Sequence, residues 1–181
     1  MSEYPTKEEV SNMDALLRET PPAKRNILEG WKRRPVLVDR VEALLPTTTA
    51  QNKMPVIIGG HARLLKKKST REAEATWWNV LAPIRAKLDK PICGPVYARF
   101  ILIWPWLSST SARLKRECDA LPKPAKPDLD NLCKILLDTM TRQQFWADDA
   151  QVCSLTVSKW HGERGALHVE IGNIVRAEQG A

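Results

Sequence analysis

Residues 96–104 read VYARFILIW and contain the longest apolar run of the chain, Phe100 to Trp104. Successive side chains of a strand point to opposite faces, and here both faces are mostly apolar. A strand that is apolar on both faces is buried on both sides, so we expect this stretch at the centre of a β-sheet. The run is too short to cross a bilayer, which takes about 20 apolar residues in a helix.

Helical patterns lie on either side of this strand. Upstream, Ser69 and Glu72 match a capping box that would start a helix near Ser69. The apolar residues at helical spacing that follow are Trp77, Leu81, Ile84 and Leu88. Pro83 is expected to kink or split this helix. Downstream, a second helix is expected from about Asp130 to Thr141.

The C-terminal third carries the pattern of a β-hairpin. Apolar and polar residues alternate over 153–158 and again over 167–171, and residues 161–165 supply a turn with two glycines. Interleaved strands and helices with a terminal hairpin favour an α+β fold, a single domain whose mixed β-sheet is packed by helices. We expect this domain at residues 36–175, after an N-terminal extension of residues 1–35, helical or flexible, and before a tail of residues 176–181.

Composition narrows the class of protein. The 181-residue chain has 28 Lys and Arg against 21 Asp and Glu, a net charge of +7, which favours a polyanionic partner such as nucleic acid as much as a merely basic soluble protein. The four cysteines show no CxxC spacing and the three histidines are scattered, so no zinc site is expected. We expect reduced cysteines that fill the core, and a cytoplasmic protein without a signal peptide.

Acidic residues concentrate in residues 128–149, against the basic trend of the chain. The window holds Asp128, Asp130, Asp138, Asp148 and Asp149. Clustered carboxylates repel one another unless a cation compensates, and Mg²⁺ takes oxygen ligands. The first two aspartates, two residues apart in an extended segment, can face one metal ion. The chain is then expected to return after the helix and bring a third carboxylate to them.

Three carboxylates on a basic protein fit a metal-dependent phosphodiesterase. Each feature also has an ordinary structural explanation. An aspartate before an apolar helical run is most often an N-cap, and an Asp-Asp pair before a strand is often part of a turn. Lys134, spaced by four residues from both Asp130 and Asp138, fits a surface charge ladder. Spacing alone leaves these explanations open.

Two stretches, KPDLDNLCKILLDTM and FWADDAQVCSLTVSKW, carry a series of residues in fixed order. The residues are Pro127, Asp128, Asp130, Asn131, Lys134, Trp146, Asp148, Asp149, Gln151, Val152 and Lys159. This series strongly resembles the RusA family of Holliday junction resolvases of phages and prophages. The resemblance implies a RusA-like fold and a Mg²⁺-dependent homodimeric endonuclease, with Mn²⁺ as a substitute metal. It would cut four-way DNA junctions by paired symmetric nicks, in DNA recombination and repair.

The resemblance also assigns roles by matched position. Asp128, Asp130 and Asp149 would be the metal-binding catalytic carboxylates, Lys134 the catalytic lysine, and Asp148 a further ligand or a supporting group. The residues expected to contact DNA are Lys66, Lys67, Lys68, Arg71, Lys123, Lys126 and Asn131. A two-fold enzyme would match a two-fold junction, in the cytoplasm of a bacterial host and on its nucleoid DNA. Two alternatives remain: a non-catalytic basic DNA-binding protein, and a nuclease for other branched DNA.

Overall fold

The computed structural model describes residues 30–47, 53–59 and 61–177. Arg33–Val175 form one compact unit, which contains all the described helices and the candidate site. The predicted extension lies outside the described residues as far as residue 29, and the predicted tail does so from residue 178. The first strand already begins at Trp31, so the last residues of the stretch expected to be an extension belong to a strand.

Strands and helices interleave along the described ranges. The strands are β1 (Trp31–Glu42), β2 (Lys53–Ile58), β3 (His61–Lys66), β4 (Val96–Pro105), β5 (Ala120–Pro122), β6 (Val152–Gly162) and β7 (Ala166–Arg176). The helices are α1 (Lys68–Arg85), α2 (Ala112–Glu117) and α3 (Leu129–Arg142), and a 3-10 turn covers Asp149–Gln151.

Five of these strands form a mixed sheet in the order β1-β7-β4-β6-β5, while β2 and β3 form a separate antiparallel hairpin. β4 runs parallel to β6 and antiparallel to β7, and β5 is antiparallel to β6. The predicted central position of this strand and the α+β class with a mixed sheet are confirmed. The predicted burial of both its faces is wrong, because Arg99 is exposed and Ile101 and Ile103 are only half-buried. The helix-facing residues of β4 are almost fully buried, among them Phe100 and Leu102.

The predicted C-terminal hairpin is wrong, because β4 lies between β6 and β7. Residues 163–165 connect the two strands by passing over the end of β4. There, Nδ1 of His161 lies 2.9 Å from the carbonyl oxygen of Pro105. A Cβ atom on Gly165 would collide with the carbonyl oxygen of Ala43, so this close passage requires glycine. Alternation and turn residues predicted both strands, but not which strand each one pairs with.

The core lies between the sheet and the helices α1 and α3. The predicted buried residues of the first helix, from Trp77 to Leu88, are all in it. The predicted capping box is wrong, because the N-cap of α1 is Lys67, two residues before Ser69, and it makes no side-chain capping bond. Nor does Pro83 split α1, which continues to Arg85. So close to the end of a helix, a proline removes a single backbone hydrogen bond.

The cysteines are free thiols as predicted, but they do not fill the core. Cys93 and Cys153 are exposed, and Cys118 and Cys133 are half-buried. The core positions are taken instead by larger side chains such as Trp146. None of the helices in the described ranges is long and apolar enough to span a membrane.

Candidate active site

The start of α3 presents two exposed aspartates. Asp128 holds the N-cap position, yet its carboxylate makes no capping hydrogen bond. Asp130 lies in the first turn, where the helix dipole favours a negative charge. Neither carboxylate has a hydrogen-bond or ion-pair partner among the residues that the structure describes. The capping explanation for Asp128 is therefore wrong, and both groups are open to a ligand.

Lys134 lies one turn further along α3 and is exposed. In the described ranges its ammonium group pairs with neither Asp130 nor Asp138, so the predicted surface charge ladder does not form. Asn131, next to Asp130, has a buried Oδ1 atom without a hydrogen-bond partner. Burial, and after it the negative charge of Asp130, raises the pKa of the Cys133 thiol. The start of α3 thus combines free carboxylates, a free ammonium group and an unsatisfied acceptor.

Lys159 fixes the segment that leads into Asp128. Its Nζ atom donates hydrogen bonds to the carbonyl oxygens of Ala125 and Pro127, both at 2.7 Å. The carbonyl oxygen of Lys159 in turn accepts a hydrogen bond from the amide of Lys123 at 3.1 Å. Hydrogen bonds to a charged donor are stronger than neutral ones. The side chain and backbone of one β6 residue therefore position the peptide group immediately before Asp128.

Lys123 is mostly buried, with 7% of its surface exposed. Its ammonium group lies 5.4 Å from the ring centroid of Trp104. Burial, and after it the positive charge of Lys159, lowers the pKa of Lys123. A lysine that contacts DNA phosphates at the surface is expected to be solvated, and the Lys123 side chain is not. Lys126, by contrast, is exposed.

Asp148 and Asp149 differ sharply in their bonding. The Asp148 carboxylate accepts a hydrogen bond from the amide of Ala150 at 2.8 Å and forms a capping box with Gln151. The turn explanation for Asp148 is confirmed. Asp149 is exposed, and its carboxylate has no partner in the part of the chain that the structure describes. Asp149 is thus the member of the pair that is available to a ligand.

Two other motif residues hold this turn in place. Nε2 of Gln151 donates to the carbonyl oxygens of Ile92 and Gly94, at 3.3 and 3.0 Å, which ties the turn to the segment before β4. Nε1 of the fully buried Trp146 donates to Oγ1 of Thr141 at 2.8 Å. These residues are part of the scaffold.

The third carboxylate does not join the first two within one chain. Asp148 and Asp149 line a cavity of about 310 Å³ with Asp138 and Arg142, along the second half of α3. No group of three Asp, Glu, His or Cys side chains in the described ranges is arranged to hold a metal ion. The oxygen atoms of Asp128 and Asp130 are nevertheless the donors that Mg²⁺ prefers. Their chemistry fits a divalent cation, whereas Asp149 lies in the 3-10 turn after α3, beside the second half of that helix.

The predicted DNA-contacting residues fall into two regions. Lys66 ends β3, and Lys67 and Lys68 begin α1, with Nζ of Lys68 3.8 Å from a Glu72 carboxylate oxygen. Arg71 follows in the first turns of α1. The second region, around the start of α3, holds Lys123, Lys126 and Asn131. The family motif already included Lys159, but sequence reasoning missed its anchoring contacts to the carbonyl groups before Asp128.

At the start of α3, this α+β domain presents two carboxylates and a lysine without side-chain partners in the described ranges. A metal-assisted phosphodiester hydrolase uses groups of these kinds. The family model Endodeoxyribonuclease RusA matches residues 45–172, and the chain therefore belongs to the RusA family. Crossover junction endodeoxyribonuclease rusA of Lactococcus phage r1t is 38% identical over 52 residues. The RusA proteins of Escherichia coli strain K12 and Shigella sonnei strain Ss046 are 40% identical over 53 residues.

These pairwise matches are partial. Each covers 29% of this chain, with 40% of the phage protein and 43% of the two bacterial proteins. The chain thus aligns with less than half the length of these curated relatives. The family model extends the likeness over most of the compact unit, through the start of α3 and the Asp148–Gln151 turn.

Proposed function

We propose that this protein is a Mg²⁺-dependent endonuclease that resolves four-way DNA junctions by paired nicks, in recombination and repair. The observation that carries the proposal is the start of α3, where Asp128, Asp130 and Lys134 are free of side-chain partners. Membership of the RusA family and the printed names of the relatives support a branched DNA substrate. The net charge of +7 favours binding to DNA phosphates.

The residues of this chain take distinct roles in the proposed reaction. Asp128 and Asp130 would hold the metal ion. Asp149, which lies apart from them within one chain, would be the further carboxylate of the reaction. When bound, the ion supplies charge neutralisation at the phosphate and a water of lowered pKa. Lys134 binds a non-bridging oxygen of the scissile phosphate and stabilises its developing charge. Lys159 keeps Asp128 in place through the carbonyl groups of the preceding segment.

Paired nicks require two active sites related by a two-fold axis. A homodimer supplies them, and its symmetry matches that of a four-way junction. Each chain would then cut one of two opposite strands. The protein would act on DNA in the cytoplasm of a bacterial host.

A non-catalytic DNA-binding protein is the second candidate, and one observation favours it. Asp149 lies along the second half of α3, away from Asp128 and Asp130, so a single chain lacks the three-carboxylate site. Such a protein would bind DNA with a steep salt dependence and show no metal-dependent turnover.

The test uses an end-labelled four-way junction and a linear duplex of matched sequence, incubated with the protein in Mg²⁺ or in EDTA. Paired nicks on the junction alone, lost in EDTA, would support the proposal. Asp89→Asn is the matched control for Asp130→Asn, because Asp89 is exposed and lies in the loop after α1. Binding without cleavage in Mg²⁺ and in Mn²⁺ would overturn the proposal in favour of the binding protein, and cleavage of other branched DNA alone would revise the substrate.

A further inference from the structure

α1 carries two adjacent tryptophans, and only one of them is in the core. Trp77 is fully buried, whereas Trp78 is 40% exposed. Neighbouring side chains on a helix point about 100° apart, so Trp78 faces away from the core. The guanidinium carbon of Arg142, in the last turn of α3, lies 5.5 Å from the Trp78 ring centroid. Trp78 thus leaves a large part of its indole ring open to solvent beside an arginine.

Trp78 and Arg142 together separate two open grooves. One groove of about 290 Å³ extends toward Arg71 and Asn79. The other, of about 390 Å³, extends along Arg85. Arg142 also lines the cavity that holds Asp149, so the tryptophan–arginine pair adjoins a carboxylate that the proposed function places at the cleavage site.

The backbone around this pair is held firmly. Nε2 of Gln143 donates to the carbonyl oxygen of Trp78 at 2.7 Å, which ties the end of α3 to the middle of α1. Nε of Arg85 donates to the carbonyl oxygens of Gln143 and Gln144, at 3.0 and 2.9 Å. The aromatic ring and the guanidinium group are thus presented on two helices whose contact is already fixed. A fixed platform costs little ordering entropy when a ligand binds.

We propose that Trp78, with Arg142, stacks a DNA base that has left its helical stack at the branch point. Aromatic side chains stack bases of any sequence, and a neighbouring arginine adds cation–π and phosphate attraction. The inference rests on the proposed function, and it names the part of the branched substrate that lies beside Asp149. A base rather than a peptide is favoured because Arg142 lines both grooves and the chain is basic. Arg85 adds to the second groove, while Arg71 in the first is accompanied by Glu74.

The experiment uses a four-way junction with 2-aminopurine at the branch point, titrated in EDTA with the full-length protein. Four proteins are compared: wild type, Trp78→Phe, Trp78→Leu, and Trp31→Leu as the control for an exposed tryptophan elsewhere. Trp31 is 50% exposed. Trp78→Leu should weaken junction binding roughly 10-fold and remove the change in 2-aminopurine emission. Trp78→Phe keeps an aromatic ring and should retain both, and Trp31→Leu should behave as wild type.

If Trp78→Leu binds the junction with wild-type affinity and gives the wild-type change in 2-aminopurine emission, the stacking proposal is wrong. The proposed function would still stand in that case if the wild type cleaves the junction in Mg²⁺. A wild type that neither binds nor cuts the junction would overturn both. Sedimentation of the free proteins tests the other occupant of this surface. If Trp78→Leu converts a dimer into a monomer, a second copy of the chain covers Trp78 and the base-stacking site is wrong.

Discussion

The start of α3 and the turn that follows it present aspartates in opposite ways. Asp128 sits at an N-cap without capping, and Asp130 follows it without a partner in the described ranges. Asp148 sits at the N-cap of a single 3-10 turn and is bonded on both sides of a capping box. A carboxylate whose lone pairs are already used by the backbone stabilises the fold, whereas one left open is available to a ligand. Local bonding thus separates aspartates that look alike in the sequence.

Among the aspartates without partners at the start of α3, Asp130→Asn should have the largest effect on DNA cleavage. We expect junction cleavage in Mg²⁺ to fall by roughly 10²–10³-fold, as when one group that stabilises a transition state is lost. Junction binding should persist or tighten, because a negative charge near the phosphates is removed. Single-turnover cleavage and equilibrium binding check the two parts. Cleavage at the wild-type rate would show that Asp130 is not a metal ligand.

Lys159→Met tests whether the carboxylates at the start of α3 depend on the hydrogen bonds that Lys159 makes to the segment before Asp128. Loss of both hydrogen bonds to the segment before Asp128 should lower the cleavage rate by roughly 10–100-fold, the cost of a small misplacement. Junction affinity should change little, and Lys159→Arg should restore part of the rate. Lys90→Met, at an exposed loop position, is the control. An equal loss of rate in the arginine and methionine variants would contradict a positioning role.

Asp148→Ala tests whether the hydrogen-bonded aspartate of the 3-10 turn stabilises the fold. Loss of its capping box should lower the free energy of unfolding by about 1 kcal/mol. Asp149→Ala has no such bond to lose and should unfold at the wild-type denaturant concentration while losing cleavage. Urea denaturation of both variants gives the comparison. Equal stabilities of the two variants would remove the distinction drawn here.

The smallest expected effect is the contribution of Lys123 to the pH dependence of stability. Burial and the charge of Lys159 lower its folded-state pKa below the usual 10.5, so its charged form is disfavoured in the folded protein. That penalty is full at low pH and disappears as pH rises through the folded pKa toward 10.5. Wild-type stability should therefore rise relative to Lys123→Met over this alkaline range. Denaturation at several pH values measures it, and a constant difference between the two proteins would contradict it.

The fold was predictable where a signal is local. The apolar run of β4 and the helical spacing of apolar residues in α3 each predict an element from a few neighbouring residues. The run did not predict that one face of β4 stays partly exposed, at Arg99 and Ile101. The pairing of β6 and β7 was not predictable from such signals. Alternation and a glycine-containing turn describe two strands and a short connection, but they do not show that a strand some 50 residues upstream fits between them.

For the candidate site, too, local sequence signals predicted some features and not others. The spacing of Asp128 and Asp130 marked them as candidates, whereas the role of Lys134 and those of the others came from the family motif. The partners that distinguish scaffold from site lie far along the chain. Lys159 bonds to carbonyl groups 34 and 32 residues before it, and Gln151 to groups 59 and 57 residues before it. Contacts at such separations depend on the finished sheet, which the sequence pattern does not specify.

The position of β4 between two later strands has a consequence for the newly made chain. Val96 pairs with Val152 on one side and with Asn173 on the other, so β4 has no neighbour in the sheet until the last strands emerge from the ribosome. Pairing over such separations forms late. All the candidate catalytic residues precede β7, yet the sheet behind them is complete only when β7 has been made. A chain that stops before β7 would leave one edge of β4 unpaired, so the carboxylates at the start of α3 would lie on an incomplete sheet.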